Sequence, residues 1–163
     1  MLKPVALFIN GVFKSVLEDI LKVQSVLPEQ IMFLQPYSGS AMSTLRDDPP
    51  SIESPMHLFV SITTDLANVH YQAEIVNWED KRTMAEVKKQ VINYLIATLQ
   101  PGDKELYNAA QGGTGESVNL LHIRRLQKLD ASFSVSQLRK VSDGEPLSTA
   151  RTQSGGWSYV KLV

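Results

Sequence analysis

The apolar positions of this chain fall into short strand-like runs separated by two clear helical patterns. PVALFI, residues 4–9, is an unbroken run rich in strand formers and predicts a buried strand. Asn10-Gly11 after it is a turn signal. Phe13, Val16, Leu17, Ile20 and Leu21 then recur at helical spacing, with Ser15 and Glu18 placed as a capping box and Pro28 as the stop. QIMFLQPY, residues 30–37, predicts a second strand, ended at or just past Pro36. Residues 38–55, rich in Ser, Pro and Asp, show no periodic apolar face and predict a loop. HLFVSITT (57–64) and VHYQAEIVNW (69–78) predict a hairpin across TDLAN.

The second helical pattern spans residues 84–99. Val87, Val91, Leu95 and Leu99 form one row, with Met84, Ile92 and Ile96 beside them. Thr83 and Glu86 have capping-box spacing, and Pro101-Gly102 closes the segment. Residues 102–117 read as a loop with Gly112, Gly113 and Gly115 at its tip. SVNLLHIRRLQKL, 117–129, alternates imperfectly and predicts a strand with a bulge or bend. FSVSQLRK predicts a short helical turn that Ser134 and Gln137 could cap. The tail 155–163 alternates well, with Trp157, Tyr159 and Lys161 on one side and Ser158, Val160 and Leu162 on the other.

These elements predict an α+β fold: a curved sheet or partial barrel of about six strands, with two main helices and a short one. The 163 residues fit a single domain, 1–163, with a loop-rich insertion near 38–55. Composition changes little. The chain is 43% hydrophobic and 20% charged, contains no cysteine and has no apolar run long enough to cross a bilayer. A cytoplasmic location is the default expectation. Charge is more informative. Residues 1–117 hold 9 Lys+Arg against 14 Asp+Glu, whereas residues 118–163 hold 7 against 3. The C-terminal part therefore offers either a basic face for phosphates or an ordinary solvated surface.

Candidate chemistry is sparse. His57, His70 and His122 have no metal-ligand spacing, so no metal is expected. GxSxG is absent, and the adjacent acids Asp47-Asp48 and Glu79-Asp80 point apart in an extended segment, so no catalytic residue is assigned. QGGTGES lacks the lysine of a phosphate-binding loop, and no cofactor is expected. The aromatics say more. Phe8, Phe33 and Phe59 lie inside apolar runs and belong to the core. Tyr37, Trp78, Tyr107 and Trp157 are flanked by polar residues at strand ends or in loops. They are either stacking walls for a flat ligand or anchors for the ends of the core.

Three stretches together resemble the PUA-like superfamily, above all its EVE, YTH and ASCH branches. VHYQAEIVNWEDK resembles the strand with a Y-x-A-x-(I/V)-x-x-W pattern, VNLLHIRRLQKLDASFSVSQLRK the later strand and its short helix, and GGWSYVKL the closing strand. Ala131-Ser132 stands where proline is usual, and FLQPYSG would have to supply a pocket wall that EVE domains place near their first strand. The resemblance implies a curved barrel whose pocket receives a base, modified or not, flipped from a duplex or presented in a single strand. On that reading Trp78, Tyr37 and Trp157 are the ring faces, and Ser38 and Gly39 give edge or backbone hydrogen bonds. Lys81, Arg82, Arg124, Arg125, Lys128, Arg139, Lys140 and Arg151 would hold the flanking DNA or RNA backbone. The resemblance further implies a non-catalytic reader, of the kind found in prokaryotic defence or modification-dependent restriction, with a protein partner supplying any catalysis. Two rivals stay open. One is a hydrolase of modified nucleosides using Glu79, Lys81 and Thr83; the other is a protein-interaction subunit presenting 38–55 and 84–99.

Overall fold

A computed structural model describes residues 3–36, 43–101, 119–150 and 157–162. Its strands are β1 (Ala6–Val12), β2 (Met32–Leu34), β3 (Met56–Ile62), β4 (Asn68–Asp80), β5 (Asn119–Ser134), β6 (Leu138–Lys140) and β7 (Trp157–Leu162). Its helices are α1 (Lys14–Val26), α2 (Ser43–Asp47) and α3 (Glu86–Leu99), and a 3₁₀ turn covers Val135–Gln137. The fold is α+β, built on one open, mixed seven-stranded sheet of order β2-β5-β4-β3-β1-β7-β6. β1 and β3 run parallel and every other neighbouring pair is antiparallel.

Alternation along the central strands divides the core between two faces. Leu7, Ile9, Leu58, Val60, Tyr71, Ala73 and Ile75 face α1, which buries Val16, Leu17 and Ile20 against them. Phe8, Phe59, Val69, Leu138 and Val160 turn to the other face, under Val135 of the 3₁₀ turn and Leu147. There Phe33 and Leu120 also receive Ile92 and Ile96 of α3. Each fully buried Leu, Ile or Phe contributes roughly 1.5–3 kcal/mol.

Local signals gave way where the sheet demanded it. Asn10-Gly11 makes no turn. It lies inside β1 as a bulge, with Gly11 at φ 77 and the β1–β3 register slipping between Ile9 and Val12. Ser61 Oγ serves the bulge, accepting from the Gly11 N–H at 2.9 Å and donating to the buried Asn10 Oδ1 at 3.3 Å. Neither capping box forms: Phe13 and Ala85 occupy the cap positions of α1 and α3 without side-chain caps. Ser15 lies in the first turn of α1 with its buried hydroxyl unpartnered, and Thr83 donates to the Asp80 carbonyl instead. Residues 38–55 contain α2, whose Leu45 is fully buried. On α3 the buried row is Ile92 and Ile96, while Val87, Val91 and Tyr94 are 73%, 54% and 70% exposed, so the helix is rotated from the predicted face. The seventh strand, β6, is only three residues long, too short for periodicity to announce it.

Two sheet edges end on glutamine. Gln100, fully buried, donates Nε2 to the Phe33 carbonyl at 2.7 Å and accepts the Phe33 N–H at 2.8 Å. Gln24 of α1 does the same to Leu126 on the outer edge of β5, with both contacts at 3.0 Å. β6 is flanked instead by its own loop, through Leu147 N–H to the Leu138 carbonyl and Lys140 N–H to the Glu145 carbonyl, both 2.9 Å.

Candidate ligand cleft

β7 carries the cleft's aromatic wall. Its alternation sends Trp157 and Tyr159 to the face that also packs on the main core, opposite Ile9 and Leu7 of β1. The two rings meet edge to face, with centroids 5.2 Å apart and planes at 78°. The Tyr159 hydroxyl accepts the Leu45 N–H of α2 at 3.3 Å, which ties ring to helix. Burial pushes the Tyr159 phenol above its ordinary value, against hydrogen bonds from Leu45 and Thr44 that pull it down.

Around these rings lie Val5, Thr44 of α2, Lys140, Val141 and Ser142 after β6, and Ser158. Together they enclose a cleft of about 370 Å³. The Val141 N–H donates to the Tyr159 carbonyl at 3.0 Å, which fixes the far rim to β7. Lys140 Nζ lies 3.1 Å from Asp143. The cleft thus offers apolar ring faces, the hydroxyls of Thr44, Ser142, Ser158 and Tyr159, and one ammonium, a lining suited to a planar ligand with polar edges. The Trp157 indole N–H has no hydrogen-bond partner among the described residues.

Trp78 lies elsewhere. Register places Trp157 beside Ile9, Ile9 beside Val60, and Val60 beside Tyr71. Trp78 therefore stands three strands away and roughly 20 Å further along the strand direction. Its half-buried ring packs on the main core and its indole N–H donates to the buried Asn119 at 2.9 Å. The two tryptophans do not share a slot, contrary to the sequence expectation, because their strands present opposite ends of the sheet. Tyr37, Ser38, Gly39, Tyr107, Arg151 and the glycine loop lie outside the described residues.

The expected backbone-binding cations separate in the same way. Lys81 is buried and donates to Gln35 Oε1 at 2.6 Å. Arg82 grips Asp80 through two bonds of 3.0 and 2.8 Å. Arg124 bonds Glu74 at 2.8 Å and the Ile52 carbonyl at 3.1 Å. Arg125 has φ 56 at a bulge where Arg125 and Leu126 together oppose Ala73. That left-handed conformation costs a non-glycine roughly 1–3 kcal/mol; it leaves Arg125 Nη1 3.5 Å from Glu74, the same carboxylate Arg124 holds. Lys128 is exposed on β5. Among the described residues of this set, only Lys140 lines the cleft, and Arg139 precedes it in β6.

The enzyme reading loses its convergence. Glu79 accepts from Lys88 and from His122 Nε2, the latter at 2.8 Å. Lys81 reaches Gln35 and Thr83 reaches the Asp80 carbonyl, so the three side chains engage different neighbours. His57 bonds Gln72 at 3.2 Å and His70 bonds Asp65 at 2.7 Å. No group of three or more His, Asp or Glu among the described residues is arranged to hold a metal ion. The i, i+2 alternation of the tail places Tyr159 beside Trp157, the one sequence signal for this wall. Thr44 and Ser142 carried no local signal. No helix among the described residues is long and apolar enough to cross a membrane. No protein-family model, no curated protein and no solved structure matches the chain.

Proposed function

We propose that this chain binds nucleic acid by receiving one unpaired base in the Trp157–Tyr159 cleft. The observation that carries the reading is the cleft itself: two mutually braced aromatic rings, Thr44, Ser142 and Ser158 hydroxyls, and Lys140 around about 370 Å³. A base stacked on such a ring gains about 1–3 kcal/mol, enough to offset much of the few kcal/mol needed to unstack it from a strand. Hydroxyls and the free indole N–H supply edge contacts that discriminate among rings. Methylated bases would be favoured where the added methyl meets Val5 or Val141, by roughly 0.8 kcal/mol per buried methyl-sized group. This keeps the PUA-like expectation of a base pocket but moves it to β7, away from Trp78.

Fluorescence tests it directly. In a Trp78→Phe background Trp157 is the sole indole. Titration with single-stranded oligonucleotides and with a panel of nucleosides should quench its emission, saturably. Trp157→Leu, checked for folding by circular dichroism, should abolish binding as read by the anisotropy of a labelled oligonucleotide. Saturable binding that survives Trp157→Leu and Ser142→Trp, the second filling the cleft mouth, would remove the cleft from the account.

A further inference from the structure

Beyond the ring subsite, β6 and β7 bring two cations into register. Arg139 and Lys161 are directly opposite each other across the antiparallel pair. Both side chains are exposed. Like charges directly opposite on neighbouring strands repel, and folded chains ordinarily relieve such a pair with an acid. Here none does so: among the described residues neither Arg139 nor Lys161 forms an ion pair. Arg139 donates only to the Gly144 carbonyl, at 3.1 Å. Of the two acids in the adjoining turn, Asp143 is taken by Lys140, and Glu145 makes no ion pair with Arg139.

The placement relates this pair to the cleft. Trp157, Tyr159 and Lys161 alternate onto the same side of β7, so Lys161 stands two residues past Tyr159, roughly 7 Å along the strand. Arg139 precedes Lys140, which lines the cleft. The geometry points to a phosphate subsite formed by Arg139 and Lys161, serving a nucleoside phosphate whose base lies on Trp157 and Tyr159. This rests on the base-binding reading for the ring but adds a separate group and a separate partner atom. Arg139 supplies a planar fork for two phosphate oxygens and Lys161 a mobile point charge. The phosphate belongs either to a free mononucleotide or to a strand; the shared chemistry is a phosphate monoester or diester beside a stacked base. Binding the anion would also relieve the repulsion between the two cations.

The test compares a nucleoside, its 5′-monophosphate and a short single-stranded oligonucleotide, read by Trp157 emission in the Trp78→Phe protein, against Arg139→Gln, Lys161→Gln and the double variant. The expected result is that nucleoside affinity stays unchanged while the phosphate-bearing ligands weaken on the order of tenfold in the double variant. The slope of log affinity against log salt for the oligonucleotide should fall by about 1.4, the value for two lost contacts on a single strand. A gain confined to the monophosphate assigns the site to free nucleotides, and a gain extending to the oligonucleotide assigns it to strands; either supports the subsite. Nucleoside binding with no advantage from phosphate, or a phosphate advantage that the double variant leaves intact for both the monophosphate and the oligonucleotide, overturns the subsite and leaves the ring reading standing. Phosphate-dependent binding that ignores Trp157→Leu, read by the anisotropy of a labelled ligand, overturns the ring reading alone. Absence of binding by all three ligands overturns both.

Discussion

The chain has two tryptophans in similar polar surroundings, and the sheet treats them differently. At the Trp78 end the indole and the charged groups beside it are engaged. The indole N–H is held by Asn119, Glu79 by Lys88 and His122, Lys81 by Gln35, and Arg82 by Asp80. A small hollow on β3–β5 is saturated in the same manner, by His57–Gln72, Gln72–Gln127 and Arg125–Glu74 contacts. At the Trp157 end the indole N–H has no partner among the described residues, the ring borders a cleft, and two cations face each other uncompensated. The lesson is physical. An aromatic that anchors a core has its polar handle already satisfied, as Trp78 does; the base site proposed at Trp157 would draw on an indole N–H with no partner among the described residues.

The largest effect that sharpens this contrast is on stability at the Trp78 end. Trp78→Ala removes a core-packed ring and its hydrogen bond to the buried Asn119, and should lower unfolding free energy by about 2–4 kcal/mol. Urea denaturation checks it, and a loss below about 1 kcal/mol would put Trp78 on the same footing as a surface residue.

A smaller effect comes from acid. Burial holds the His122 imidazole below its ordinary 6.5. For Glu79 burial acts upward, but hydrogen bonds from Lys88 and His122 outweigh it and hold the carboxyl below its ordinary 4.5. Both groups therefore take up protons more readily in the unfolded chain, so each stabilises the fold at neutral pH. Stability should decline first as pH drops below 6.5, through His122, and again below 4.5, through Glu79. Denaturation midpoints at successive pH values should show the upper step lost in His122→Asn; a step unchanged by that substitution would exclude His122 as its source.

The smallest effect has the opposite sign and belongs to the Trp157 end. Lys161→Glu places unlike charges across β6 and β7, and should raise stability by about 0.2–1 kcal/mol while weakening oligonucleotide binding. Thermal melts that fall rather than rise in Lys161→Glu would show the repulsion to be negligible.

Much of the framework was legible locally. Alternation identified β4 and β7, and unbroken apolar runs identified β1 and β3. Imperfect alternation around Arg124-Arg125 announced the bulges of β5. What failed was whatever depends on partners distant in sequence. The Ser15 and Thr83 capping signals lost to helix starts fixed by Phe13 and Ala85. The face of α3 is chosen by Phe33 and Leu120, which no helical period contains. The cleft joins Val5, Thr44, Ser142 and Trp157 from four separate stretches, so only the alternation linking Trp157 to Tyr159 and the C-terminal excess of positive charge pointed toward it.

The glutamines at Phe33 and Leu126 carry one further consequence. A carboxamide has the same donor and acceptor as a peptide unit, so each side chain stands in for one link of a missing neighbouring strand. An unclosed sheet of this size would otherwise offer templates for cross-chain stacking into fibrils. Terminating those ladders with single side chains lets the sheet stay unclosed without becoming adhesive there.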